Sequence, residues 1–369
     1  MSSYFATLPS FATDYSGFIS VMHGLGGLMI VHDPSGCLGN YTNTDEPRWY
    51  HEPQPVFSST LKEIEAVIGD TEIFMQKALP EVIRRKPPFV CIFGTPVSAL
   101  TGYDIDSLAQ GLEQRSGATC FGIETDGFAF YDDGIKRALL FAYEKLMEPK
   151  TEQVTGRVNV LGMTPLDYHL QEKDRITAYL EANGWQLGAF LGMGNSLECI
   201  HTARNAELNL VMSASALPLA RLMQSNDGIP FVAGPPFGAG GIAEIGPVPK
   251  DLLWEANTSL IACAGKNVLI IGEQLCSCAL RQAIQHHDNR AQVTVASFFA
   301  LDSAYAQPQD VHLRDEEALL GLLNNGLFDT VIGDPLFEQL CTYGQTFVAR
   351  PHPAVSSRLH WKEPVSWVG

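Results

Sequence analysis

The sequence predicts an α/β chain of three successive layers, each a mostly parallel sheet, arranged around a central cleft. Three observations lead there. From about Pro88 onward, short β-branched or aliphatic runs alternate with amphipathic stretches, the pattern of repeated βα units. With 369 residues, 46% of them apolar, the chain can bury two or three separate cores. Polar connections at Glu148-Pro-Lys-Thr-Glu-Gln and at Thr258 to Lys266 divide it into segments 1–150, 151–262 and 263–369.

Each element is justified by its residues. The apolar stretch Leu25 to Val31 reads as the first strand. Thr60 with Glu63 has capping-box spacing ahead of Ile64, Val67 and Ile68, so a helix is expected to open at Thr60. Further strands are expected at Phe89 to Phe93, Thr119 to Ile123, Val158 to Gly162, Leu187 to Leu191 and Leu208 to Met212. The last segment adds Val268 to Ile271, Val293 to Ala296, Thr330 to Ile332 and Thr346 to Val348, with helices after most of them. In open parallel sheets of this kind, ligands bind beyond the carboxyl ends of the strands.

Composition excludes several classes. A net charge of −17 argues against binding a phosphate backbone, so no nucleic-acid partner is expected. No apolar run approaches the ~20 residues of a membrane span, and no membrane role is expected. Eight cysteines, most within apolar runs such as Phe89-Val-Cys-Ile-Phe93, and no secretory leader indicate reduced thiols and a cytoplasmic protein. The glycine-rich run from His23 lacks P-loop spacing, so this chain is not itself expected to hydrolyse ATP.

The chemistry-bearing position is Cys37, in His32-Asp-Pro-Ser-Gly-Cys-Leu-Gly-Asn40. A strand that ends in a Gly-Cys turn presents a thiolate where backbone N–H groups converge, which suits an iron–sulfur cluster. A lone cysteine is otherwise a small buried hydrophobe. The residues downstream of Cys37 decide between these two readings. Pro55-Val-Phe-Ser-Ser-Thr60 leads to Ile68-Gly-Asp-Thr-Glu72, then Lys86-Pro-Pro-Phe-Val-Cys-Ile-Phe-Gly-Thr-Pro96 and Gly102-Tyr-Asp-Ile105. Ile123-Glu-Thr-Asp-Gly-Phe128, Val158-Asn-Val-Leu-Gly162, Ala206-Glu-Leu-Asn-Leu-Val211 with Gly228-Ile-Pro-Phe231, and Gly265-Lys-Asn-Val-Leu269 continue the order.

This succession resembles nitrogenase component 1 and its relatives, including the dark-operative protochlorophyllide reductases, over roughly the whole chain. The resemblance implies three Rossmann-like layers and an interface [4Fe–4S] cluster with Cys37 as its metal ligand. That cluster would be shared with a partner chain, because one cysteine per chain is too few for about four ligands. The family's other cluster positions fall near Phe11 and Thr95, neither a cysteine, and Asp14 is the nearest carboxylate to the first; relatives that reduce tetrapyrroles use an aspartate as a ligand. As a residue, Asp14 also reads as a helix cap. Where nitrogen-reducing members anchor their large cofactor by a cysteine, this chain has Met212 and Ser213, which disfavours dinitrogen as substrate. The cleft is left for an organic substrate, a second metal centre or a tetrapyrrole.

Other motifs complete the candidate set. Gly234-Pro-Pro-Phe-Gly-Ala-Gly-Gly241 resembles the family's loop beside the cavity, and Gly238 and Gly240 can bring free N–H groups to a bound anion; a plain turn is the alternative. Cys276-Ser-Cys278 opens a helix with its two thiols pointing apart, which favours a structural role. In Arg350-Pro-His-Pro-Ala-Val-Ser-Ser-Arg358, His352 is placed to donate a proton or ligate a metal, with Arg350 and Arg358 holding an acidic substrate; a rigid loop residue between prolines is the alternative for His352. His286-His287 and Arg314-Asp-Glu-Glu317 read as solvated helix faces.

The expected function is a subunit of a nitrogenase-like reductase. It would accept electrons from an ATP-dependent iron protein, pair with a second component 1-like subunit or with itself, and reduce a small molecule in the cleft. The alternative is a non-catalytic scaffold on which a metal cofactor or tetrapyrrole is assembled.

Overall fold

A computed structural model describes residues 6–36, 38–50, 55–69, 71–194, 196–236, 241–250 and 266–360. It contains three sheets, and every strand pair in them is parallel. The first comprises β1 (Leu28–Val31), β2 (Val56–Ser58), β3 (Val90–Phe93) and β4 (Cys120–Ile123), in the order β2-β1-β3-β4. The second comprises β5 (Arg157–Leu161), β6 (Gln186–Leu191), β7 (Leu208–Val211) and β8 (Phe231–Ala233), ordered β6-β5-β7-β8. The third comprises β9 (Asn267–Ile271), β10 (Gln292–Ser297), β11 (Val311–His312), β12 (Thr330–Gly333) and β13 (Thr346–Ala349), ordered β11-β10-β9-β12-β13. The α/β class and the layered parallel architecture expected from the sequence are therefore present.

Strand periodicity sets which core each residue joins, because successive side chains alternate between faces. In the first sheet Leu28, Ile30, Val90 and Ile92 face Phe74, Leu108 and Leu112, while Met29, Val31, Cys91 and Phe93 turn to the opposite side. That opposite side joins Leu161, Leu191 and Val211 of the second sheet and Leu269, Ile271 and Val331 of the third in one shared core. One face of every sheet thus closes onto the same centre. Each fully buried aliphatic or aromatic side chain there contributes roughly 1.5–3 kcal/mol.

Two helices carry the first layer into that centre. The Asp14–Met22 helix crosses the Tyr131–Phe141 helix so closely that a Cβ on Gly17 would lie 1.9 Å from the Tyr131 carbonyl oxygen, and one on Gly134 would lie 1.8 Å from the Asp14 carbonyl oxygen. Only glycine permits this backbone contact. At the same junction, the Ala12 N–H donates to the Ala354 carbonyl and the Ala354 N–H donates to the Leu166 carbonyl, linking all three layers through backbone.

Two expectations need correction. The helix expected at Thr60 runs from Glu63 to Ile68, and Thr60 itself takes φ +50°. The chain stays extended because buried Leu61 donates its N–H to the Asp33 carbonyl, and the reciprocal cap forms later, with the Glu65 carboxylate accepting from the Lys62 N–H at 3.0 Å. Glu316 is not on a solvated face: it is buried, and its carboxylate accepts the N–H groups of Ala6, Thr7 and Leu8. In the connection after Glu148, Thr151 donates its N–H to the Asn205 side chain and Val154 donates its N–H to the Asn205 carbonyl. The second expected connection, around residue 262, lies outside the described residues.

Candidate functional site

Two places stand out in the topology, both beyond the carboxyl ends of strands. The first is the end of β1, where Ser35, Leu38 and Ser58 are gathered about Asp33. The Asp33 carboxylate accepts from the Ser35 N–H at 2.9 Å, the Leu38 N–H at 3.2 Å and the Ser58 hydroxyl at 3.1 Å. Beside it His32 is fully buried, 2.9 Å from the Ser59 hydroxyl through Nδ1 and edge-on to Phe74 and Tyr103. Burial holds the imidazole at about 4, well below its ordinary value, so it is neutral at pH 7. Cys37, Gly238 and Gly240 lie outside the described residues.

The remaining expected cluster positions have structural occupations. The Asp14 carboxylate accepts three backbone N–H groups, from Tyr15 at 2.8 Å, Gly127 at 2.9 Å and Asp126 at 3.1 Å, and so ties the start of its helix to the loop after β4. Burial pushes its pKa up while those donors oppose the shift. Phe11 is locked in an aromatic group, its ring centroid 5.3 Å from that of Phe298 and 5.5 Å from that of Phe130. Thr95 is a buried N-cap residue whose N–H donates to Ser98 Oγ at 2.7 Å. Among the described residues, no group of three His, Cys, Asp or Glu side chains is set to hold a metal ion. The described donors therefore do not fit a cluster held by this chain alone. Next to Asp14 a cavity of about 380 Å³ opens past β3 and β4, with Gly94, Tyr103, Asp104, Asp126 and Arg137 in its wall.

The second place is the shared centre. A turn after β5, in which the Asp167 and Tyr168 N–H groups donate to the Thr164 carbonyl, delivers Asp167 from the second layer. The first layer delivers Tyr131 at the start of its helix, and the third delivers His352 just past β13. The Tyr131 hydroxyl donates to Asp167 Oδ1, while His352 Nε2 lies 3.0 Å from the same oxygen and 3.2 Å from the Tyr131 hydroxyl. His352 is 2% exposed, and its backbone N–H donates to Asp334 at 2.7 Å. Desolvation first, then the Asp167 charge, keeps the Tyr131 phenol protonated far beyond its usual range. An Nε2–H imidazole donates to Asp167 and leaves Nδ1, which is buried and meets no hydrogen-bond partner among the described residues.

Other buried groups border this triad. Glu273, past β9, accepts from the Cys276 N–H at 2.8 Å as a helix cap and from the Ala214 N–H of the second layer at 2.7 Å. Burial, then the neighbouring Asp167 charge, raises its pKa to about 7. Cys276 Sγ is 2.9 Å from the Tyr168 hydroxyl, and Cys278 points elsewhere, toward the Tyr305 carbonyl and Arg281, so the two thiols diverge as expected. Ser213 is fully buried past β7; its Oγ, like those of Thr164 past β5 and Ser277 past β9, meets no partner among the described residues. Arg350 donates its N–H to the Gly333 carbonyl, and its guanidinium lies near Cys276 and Glu172, with burial lowering its pKa to about 10.

The structure thus brings His352, Arg350 and Ser213 to one centre, while Asp14 is tied to the loop after β4 and Thr95 caps the helix after β3. Sequence reasoning missed Tyr131, Asp167 and Glu273. A carboxylate directly after a strand, as in Ile271-Gly-Glu273, is the signal that could have marked one of them.

Known proteins match on both levels. The iron-molybdenum cofactor biosynthesis protein NifE of Clostridium pasteurianum is 29% identical over 215 residues, 55% of this chain and 45% of that protein. NifE of Rhodobacter capsulatus is 29% identical over 218 residues, 57% of this chain and 45% of the relative. The match thus spans about half the length of these curated relatives. A solved structure, "Nitrogenase Cp1 at pH 6.5", superposes with TM-score 0.72 at 18% identity, covering 100% of this chain and 92% of the other, which establishes likeness of fold. Among the described residues no helix is long and apolar enough to cross a membrane. The layered fold, the ordered motifs and a family match over residues 14–245 agree: the chain belongs to the nitrogenase component 1 type oxidoreductase family.

Proposed function

We propose that this chain is a scaffold subunit that pairs with a second component 1-like chain and holds a metal cofactor or its precursor as cargo, without reducing a substrate itself. One observation carries the reading. Four buried polar atoms, His352 Nδ1, Thr164 Oγ1, Ser213 Oγ and Ser277 Oγ, lie past the carboxyl ends of four different strands with no partner among the described residues. Buried polar atoms in native proteins are normally satisfied, so a set of them past strand ends suits a polar bound molecule. Asp167 and Tyr131 fix the His352 ring, which presents Nδ1 as an acceptor. The NifE relatives, named for cofactor biosynthesis, support cargo over turnover.

The test is anaerobic purification of the chain with its partner, followed by metal and acid-labile sulfide counts for wild type, His352→Ala and Ser213→Val. The scaffold reading expects cargo to fall severalfold in both variants while the folded fraction is unchanged. Equal content in all three would overturn it. A reductase is the second reading, favoured by the gathering of Ser35, Leu38 and Ser58 about Asp33 at the end of β1. It requires iron that falls with Cys37→Ala and electron transfer from an ATP-dependent iron protein.

A further inference from the structure

All three layers contribute to the wall of a crevice of about 200 Å³: Asp132 from the first, Ala214 from the second, Ala300 and Leu301 from the third. Three of these follow directly in the chain on side chains at the shared centre. Asp132 follows Tyr131, Ala214 follows the fully buried Ser213, and Ala300 follows Phe299, whose ring centroid is 4.8 Å from that of Tyr131 and 5.2 Å from that of His352. The wall is thus one residue from the buried polar centre on three separate segments. Behind it, Ser213 Oγ meets no partner among the described residues.

The charges at this opening are unbalanced. Of its carboxylates, Asp133 pairs with Lys136 and Arg137, and Asp302 pairs with Arg221. Asp132 is half-buried, and its carboxylate accepts the Ala300 N–H at 2.8 Å, a contact that favours the ionised form. Further in, Glu273 accepts the N–H groups of Ala214 at 2.7 Å and Cys276 at 2.8 Å. Neither Asp132 nor Glu273 has a cationic side chain as a partner among the described residues, and the Asp167 charge acts on both. The buried cation nearby, Arg350, lies beside Cys276 and Glu172.

We infer that this crevice is the mouth of the shared centre and that it admits small cations, hydrated divalent metal ions among them, while holding out anions of the same size. A narrow cleft with low-dielectric walls concentrates the field of the carboxylates within it, so Asp132 at the wall, with Asp167 and Glu273 behind it, sets the sign of what enters. The inference rests on the shared centre as the place for cargo, yet the passage itself is observable with no cargo bound.

Ser213→Cys places a reporter thiol behind the wall. In the full chain at pH 8, its labelling by a permanently cationic and by an anionic methanethiosulfonate (trimethylammonium-ethyl and sulfonatoethyl) is followed by peptide mass spectrometry, each rate divided by that reagent's rate with free cysteine. The cation should lead by at least about tenfold. Asp132→Asn, which keeps an oxygen for the Ala300 N–H, should cut that lead by at least about threefold. Leu301→Trp should slow both reagents at position 213 while labelling of the half-buried Cys199 is unchanged. Equal rates for the two reagents, no labelling at position 213, a lead untouched by Asp132→Asn, or rates untouched by Leu301→Trp overturn the inference. If Leu301→Trp fails to fold, the reagent comparison and Asp132→Asn still decide. A failed mouth shows in these rates, and a failed cargo site shows only in the metal counts, so the two outcomes are distinguishable.

Discussion

At the residue scale, burial sets the charge state of several side chains. His32 shows the sign most cleanly. Its folded pKa of about 4 lies below its ordinary value of 6.5, so between those values the unfolded chain binds a proton that the folded one does not. Stability is therefore lost as the pH falls from 6.5 toward 4, by about 3 kcal/mol in full. Urea melts at pH 7 and pH 4 should show that extra loss in wild type and its absence in His32→Gln. Asp33 gives a second prediction. Removing its three acceptor contacts in Asp33→Ala should cost roughly 1–3 kcal/mol and speed alkylation of Cys37, because Ser35 and Leu38 on either side of that thiol lose their acceptor. Unchanged labelling would contradict the assigned role of Asp33.

Elements were the most legible part of the sequence. Strands β3 through β7 and the principal strands of the third sheet fall within about one residue of where the sequence places them, since each carries a short run of mostly apolar residues between polar or glycine-containing turns. Strands β2 and β11, of three and two residues, were not foreseen because edge strands this short carry no period. Thr60 misled because a tertiary bond, Leu61 N–H to the Asp33 carbonyl, delayed the helix. Asp167 and Tyr131 were invisible for a related reason: each is an ordinary polar residue in its own segment and acquires meaning only when three layers meet. The placement of His352, Arg350 and Ser213 past strand ends was legible because the strands before them were foreseen. The glycine crossing yields a contrast at this scale. Gly17→Ala would drive a Cβ into a backbone carbonyl and should abolish stable folding or cost several kcal/mol, beyond the about 1–3 kcal/mol usual for overpacking. Gly111→Ala meets only the flexible end of Met75 at 2.8 Å and should melt close to wild type. Similar melting for both would remove the close-packed crossing.

At the scale of the whole molecule, one face of each parallel sheet feeds a common core, and the strand ends around it supply Asp167, Ser213, Glu273 and His352. That convergence of strand ends is the ground on which the shared centre is proposed as the place for cargo. On the proposed function, cargo is held at the shared centre and handed on. The direct measurement is anaerobic incubation of the metal-loaded chain and its partner with a cofactor-free acceptor protein, with metal counted on both sides before and after. Metal should leave this complex and appear on the acceptor. Metal that stays bound while the complex reduces a substrate with electrons from an ATP-dependent iron protein would contradict it.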